Sequence, residues 1–80
     1  MTRKHFEMVA KVLNSRARAI TNSSASNGAK HYALYELQST MYHLCDEFEI
    51  INSRFDRKKF VEACNVERHL IDTKVEIISS

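Results

Sequence analysis

"ALYELQSTMYHLCDEFEII", residues 33 to 51, carries the repeat that decides the fold class. Leu34, Leu37, Met41, Leu44, Phe48 and Ile51 follow one another at intervals of 3, 4, 3, 4 and 3, which lines them along one side of an α-helix. Polar and charged residues fill the gaps, so the stretch predicts a helix over residues 29–51 with one face that water cannot solvate well. Covering six such side chains contributes on the order of 10 kcal/mol at roughly 1.5 to 3 kcal/mol each, most of it offset by ordering entropy. The seam therefore needs a partner.

The preceding residues supply one. Thr2 is placed to cap a helix over residues 3–20, in which Phe6, Val9, Leu13, Ala17 and Ile20 recur at intervals of 3, 4, 4 and 3. Asn22 can end it, and "TNSSASNGA", Thr21 to Ala29, reads as a loop because its small polar side chains compete with helical hydrogen bonding. The two helices are expected as an antiparallel hairpin. Tyr32, Tyr35, Tyr42 and Cys45 widen the apolar face of the longer one, with Tyr35 expected in the core and the other two tyrosines open between core and interface.

A third element comes from "NSRFDRKKFVEAC", residues 52 to 64. Asp56 is a strong N-cap, Phe55 and Phe60 stand where a hydrophobic staple would bracket it, and Phe60, Ala63 and Cys64 point inward. Asn65 closes that helix. Beyond it, "VERHLIDTKVEIISS" has two readings: Val66, Leu70 and Ile71 can extend a helical stripe, whereas "TKVEII" alternates like a strand that would have to pair across a dimer. The expected architecture is all-α, a compact three-helix bundle over residues 1–72 with an irregular or short-strand tail at 73–80.

Bulk properties agree. Eighty residues make one small domain, and one glycine with no proline suits a few long elements with few connections. Cys45 and Cys64 fall on apolar helical faces, which points to free thiols in a reducing compartment. With no secretory leader and no long apolar run, the chain is expected in the cytoplasm and off the membrane. The net charge of +2 hides an uneven distribution: Arg3, Lys4, Lys11, Arg16 and Arg18 face only Glu7 in residues 2–22, while residues 23–52 set Lys30 against Glu36, Asp46, Glu47 and Glu49. Such segregation either builds a basic patch or pulls neighbouring helices together.

Little in the sequence points to catalysis. No motif brings Cys45 or Cys64 to His5, His31, His43 or His69, no glycine-rich turn builds an oxyanion hole, and no phosphate cradle is present. His43 and Cys45 are two apart and diverge on a helix, which argues against zinc. The expectation is a protein with no cofactor, no metal and no enzymatic role. Lys4, Lys11 and Arg18, at seven-residue steps with Arg3 and Arg16 beside them, form the most coherent charged surface, extended by Arg54, Arg57 and Lys58.

The opening "RKHFE" and the later "NSRFDRKKFVEAC" together resemble a set of small helical proteins encoded by bacteriophages and prophages. In these, an R-K-x-[FY] helix and a second helix precede N-x-x-F-D-x-x-[FR]-F-x-x-A-C. The corresponding residues are Arg3, Lys4 and Phe6, then Asn52, Phe55, Asp56, Phe60, Ala63 and Cys64. The resemblance implies a phage origin and brings no catalytic residue; residues after Asn65 are extra to the pattern. Phage accessory proteins of this size often bind a host machine, as anti-CRISPR inhibitors of bacterial defence do. The expected function is binding to a host or phage protein complex through the eight cations just named. DNA or RNA binding, and self-assembly as a homodimer or structural protein, are the alternatives.

Overall fold

The computed structural model describes residues 3–73, which form four helices: α1 (Arg3–Thr21), α2 (Asn27–Ile51), α3 (Arg57–Cys64) and α4 (Val66–Asp72). The all-α expectation holds. Thr2 and the "KVEII" part of the alternating segment lie outside the described residues.

The three expected helices are present, the third closing at Asn65 as its sequence indicates, and the helical reading of the residues beyond it appears as a fourth helix. At Asn65 the backbone turns left-handed, with φ at 57°, and its N–H bonds the Val61 carbonyl to end α3. Asparagine tolerates that conformation better than most residues because its short polar side chain eases the strain. The chain then re-enters helix at Val66, whose side chain is fully buried. α3 and α4 together run antiparallel to α2, as the pairs Arg57–Asp46, Tyr42–Glu67 and His31–Thr73 show.

α2 begins two residues earlier than its sequence suggests. Ser26 adopts an extended conformation and its hydroxyl accepts from the Ala29 amide at 3.2 Å, so Asn27 and Gly28 become the first helical turn. The expected loop of residues 21–29 shrinks accordingly to 22–26. Asp56 behaves as its sequence position demands, with its carboxylate accepting from the Lys59 amide at 3.1 Å.

The core consists of Ala10, Leu13 and Ala17 from α1, Leu34, Met41, Cys45 and Phe48 from α2, Phe60 and Cys64 from α3, and Val66 and Leu70 from α4. Three side chains expected in the seam or core, Tyr35, Ile51 and Ala63, depart from that position, while Leu37 and Leu44 pack at its margin. Leu37 and Leu44 are only partly buried, Ile51 is 57% exposed, Tyr35 is 59% exposed, and Ala63 faces out. The helical row explains the α2 series: each seven-residue step falls about 20° short of two full turns, so a 3.5-residue repeat drifts across a straight helix. Cys45 takes up the space that Leu44 turns away from.

The molecule measures 47 × 25 × 15 Å. Its thin dimension is little more than one helix diameter, which leaves Met8, Val12, Tyr32, Tyr35, Ile50 and Ile71 largely in solvent.

Candidate binding groove

The turn between α2 and α3 aims the site. Asn52 ends α2 with its N–H on the Phe48 carbonyl at 2.8 Å, then accepts twice: Oδ1 from the Arg54 amide at 3.0 Å and its carbonyl from the Phe55 amide, also at 3.0 Å. This Asx turn fixes Arg54 outward and Phe55 against the helices.

Phe55 there completes a cluster that contains all four phenylalanines of the chain. Its ring lies 4.9 Å from Phe6 and 5.4 Å from both Phe48 and Phe60, while Phe48 meets Phe6 at 4.9 Å. Three of the five pairs set ring edges against ring faces, the arrangement the aromatic quadrupole favours, and the other two are tilted at 58° and 59°. The staple read from Phe55 and Phe60 is thus real, and it is joined by one ring from α1 and one from α2.

Between the first turns of α1 and the length of α3 runs an open groove of about 600 Å³. Phe6, Phe55 and Phe60 form its floor, Ala10 and Ala63 its walls, and Arg3, Glu7, Arg54, Asp56 and Lys59 its rim. Both acids on that rim are already engaged: Glu7 accepts from Arg3 Nε at 3.2 Å, and Asp56 caps α3. A second hollow of about 220 Å³, between Ala19, Ile20, Ala29 and Ala33, has Arg16 and Lys30 at its edge.

The eight cations read from the sequence divide into three groups. Arg3 and Arg54 reach the groove. Lys4, Lys11, Arg16, Arg18 and Lys58 are exposed, and no carboxylate pairs with them among the described residues. Arg57 instead works within the chain, bonding Asp46 at 2.9 Å and Glu49 at 3.0 Å and lying 5.7 Å over the Tyr42 ring. Those bonds, to Glu49 first and then Asp46, hold its guanidinium well above its ordinary pKa. Part of the charge segregation is therefore an internal attraction between α2 and α3. Lys59, at the end of the cationic stretch 54–59, also joins the rim.

The remaining ionisable groups serve structure. Burial pushes the Cys64 thiol up to about 12 and raises Cys45 as well, so both stay protonated and poorly nucleophilic. The Tyr42 hydroxyl donates to Glu67, and that bond, with burial behind it, raises the phenol. Among the described residues no three His, Cys, Asp or Glu side chains gather as a metal site would require, and no helix is long and apolar enough to cross a membrane.

The chain matches no family model, no curated protein and no solved structure.

Proposed function

We propose that this is a phage-encoded, non-enzymatic binding protein that grips a host macromolecular complex through the α1–α3 groove, acting as an inhibitor of bacterial defence. One observation carries the reading. Arg3 and Phe6 near the start of the chain and Asn52, Phe55, Asp56, Phe60 and Ala63 further on, seven of the nine positions of the phage-protein resemblance, line a single groove; Lys4 and Cys64 do not. An open hollow with aromatic floor and charged rim suits an inserted side chain of a protein partner. The two thiols, held protonated by burial, give it no ready nucleophile.

The test is affinity capture from the host bacterium with the tagged wild-type chain and with Arg54→Glu/Lys59→Glu, two exposed changes expected to leave the melting temperature within about 2 °C. The wild type should retain one stoichiometric complex that the variant loses. Recovery of the same proteins by both, or of nothing above a tag-only control, would count against the proposal.

A second reading, nucleic-acid binding, is favoured by the exposed and unpaired row of Lys4, Lys11 and Arg18 on the outer side of α1. A phosphate-binding row would shift random duplex DNA at low salt and release it steeply as salt rises. Absence of any shift at 20 to 50 mM salt, about the low end of such titrations, removes it.

A further inference from the structure

The rim and floor of the groove restrict what can occupy it. Of its five charged residues, Arg3 and Glu7 neutralise each other and Asp56 is held by the Lys59 amide, which leaves the side chains of Arg54 and Lys59 as charge without a partner among the described residues. The Arg3–Glu7 pair is itself fully at the surface, with side chains 85% and 64% exposed, so Arg3 can be recruited at little cost. Asp56 keeps its own negative charge, so the rim's formal balance is +1, and its uncommitted side chains are positive.

The floor is equally particular. Phe48 and Phe60 are buried, but Phe6 and Phe55 are only partly covered, and their rings meet at 4.9 Å and 59°. Their uncovered edges and faces are what an incoming group would touch. Ala10 and Ala63 stand beside them, and methyl-sized walls leave room for one bulky side chain to enter. The volume of about 600 Å³ lies within the usual range for ligand sites, yet the groove is open. A small molecule would remain half in water there, whereas a peptide covers the floor with one residue and brings its neighbours to the rim. A nucleic-acid strand fits less well, since its regular phosphates would also fall beside Glu7 and Asp56, while carboxylates in a peptide can be spaced to avoid them.

From this match we infer that the groove binds an acidic peptide segment: one bulky aromatic or aliphatic side chain seats against Phe6 and Phe55, and flanking Asp or Glu residues pair with Arg54 and Lys59, with Arg3 in reserve. The inference rests on the groove being the docking site and specifies the chemistry of its occupant.

The experiment is a selection of random twelve-residue peptides displayed against the full chain, followed by fluorescence anisotropy with the enriched peptides. They should carry a bulky apolar residue with Asp or Glu within about four positions. Arg54→Glu/Lys59→Glu should weaken them at least tenfold. So should Ala63→Trp, which fills the groove from an exposed helical position and leaves the core untouched. Circular dichroism melts of both variants confirm that the fold is retained. Enrichment of peptides without acidic residues, acidic peptides indifferent to both variants, or no enrichment above an empty support would each overturn the inference. So would tight binding of a twenty-nucleotide DNA that the charge reversal abolishes, since that assigns the rim to phosphate. The library contains no host protein, so failure here leaves the capture experiment intact, and an empty capture leaves this one intact.

Discussion

The two ends of the bundle are held together by different chemistry. At one end Phe6, Phe48, Phe55 and Phe60 meet ring to ring, and the helices join chiefly through apolar surface, with the exposed Arg57–Asp46 and Arg57–Glu49 pairs beside it. At the other, α1, α2 and α4 meet through a polar relay. The Thr21 hydroxyl donates to the Ala17 carbonyl at 2.9 Å and accepts from His69 Nδ1 at 2.9 Å. The buried Thr73 hydroxyl donates to the His69 carbonyl at 3.0 Å and accepts from His31 Nδ1 at 3.3 Å. His69 Nε2 is buried there with no partner among the described residues. Aromatic packing tolerates an open groove beside it because each ring keeps at least two ring partners and leaves no polar group unpaired. At the polar end a buried donor or acceptor that loses its partner carries the full desolvation cost, and the hollow there, between Ala19, Ile20, Ala29 and Ala33, is smaller, at about 220 Å³. The larger of the two hollows described above lies at the aromatic end.

That contrast can be broken most severely at Phe48, the buried one of the two rings that each touch all three others. Phe48→Ala should cost about 3 to 5 kcal/mol, close to the whole stability of a chain of this length. Urea titration followed by circular dichroism should show a chain unfolded or nearly so in buffer; a loss under about 1 kcal/mol would mean the cluster does not organise that end.

Next in size is a response to alkali. The Cys64 thiol ionises at about 12 when folded, against a reference value of 9.0 when unfolded. Between those values the unfolded chain gives up a proton that the native chain keeps, so stability is full below pH 9 and declines as pH rises toward 12. By pH 10.5 the loss should reach about 2 kcal/mol, and Cys64→Ala should flatten the decline relative to wild type in melts at pH 8 and 10.5. Parallel curves for the two proteins would place the thiol in water.

At the polar end, Thr73→Val keeps the shape and removes the hydroxyl that serves both His31 and the His69 carbonyl. A cost of about 1 to 2 kcal/mol is expected in the same urea titration, less than at Phe48. An equal or larger cost would erase the distinction between the two ends. The smallest effect is a gain. Gly28 sits in the first turn of α2 with an ordinary backbone and open space where a Cβ would go. Gly28→Ala should therefore raise stability by roughly 0.5 to 1 kcal/mol, read as a higher melting temperature.

Much of this molecule was legible before its coordinates. The helical spans followed from apolar spacing, and the Asp56 cap and the Phe55–Phe60 staple followed from local chemistry, because each depends on neighbours a few residues away. What failed to show depends on distance or on small angular sums. Asn-Gly at 27–28 imitates a turn, and only the preceding Ser26 reveals that helix has already begun. Tyr35 and Ile51 lie at the edges of a stripe, where a drift of some tens of degrees over a long helix decides exposure. Asn65 could be seen as a stop but not as a hinge into a fourth helix, since that requires space for Val66 between legs that meet only on folding. The groove was illegible for the same reason. Its residues sit in two segments about forty-five positions apart, and no periodicity links Phe6 to Phe55.

The meeting of those segments is therefore the claim to test first. A two-dimensional NOE spectrum of the full chain, with the phenylalanine rings assigned, should show cross-peaks from the Phe6 ring protons to those of both Phe48 and Phe55, whose centroids lie 4.9 Å away. If the Phe6 ring shows contacts only within its own helix, the aromatic end is not assembled as described and the groove does not exist.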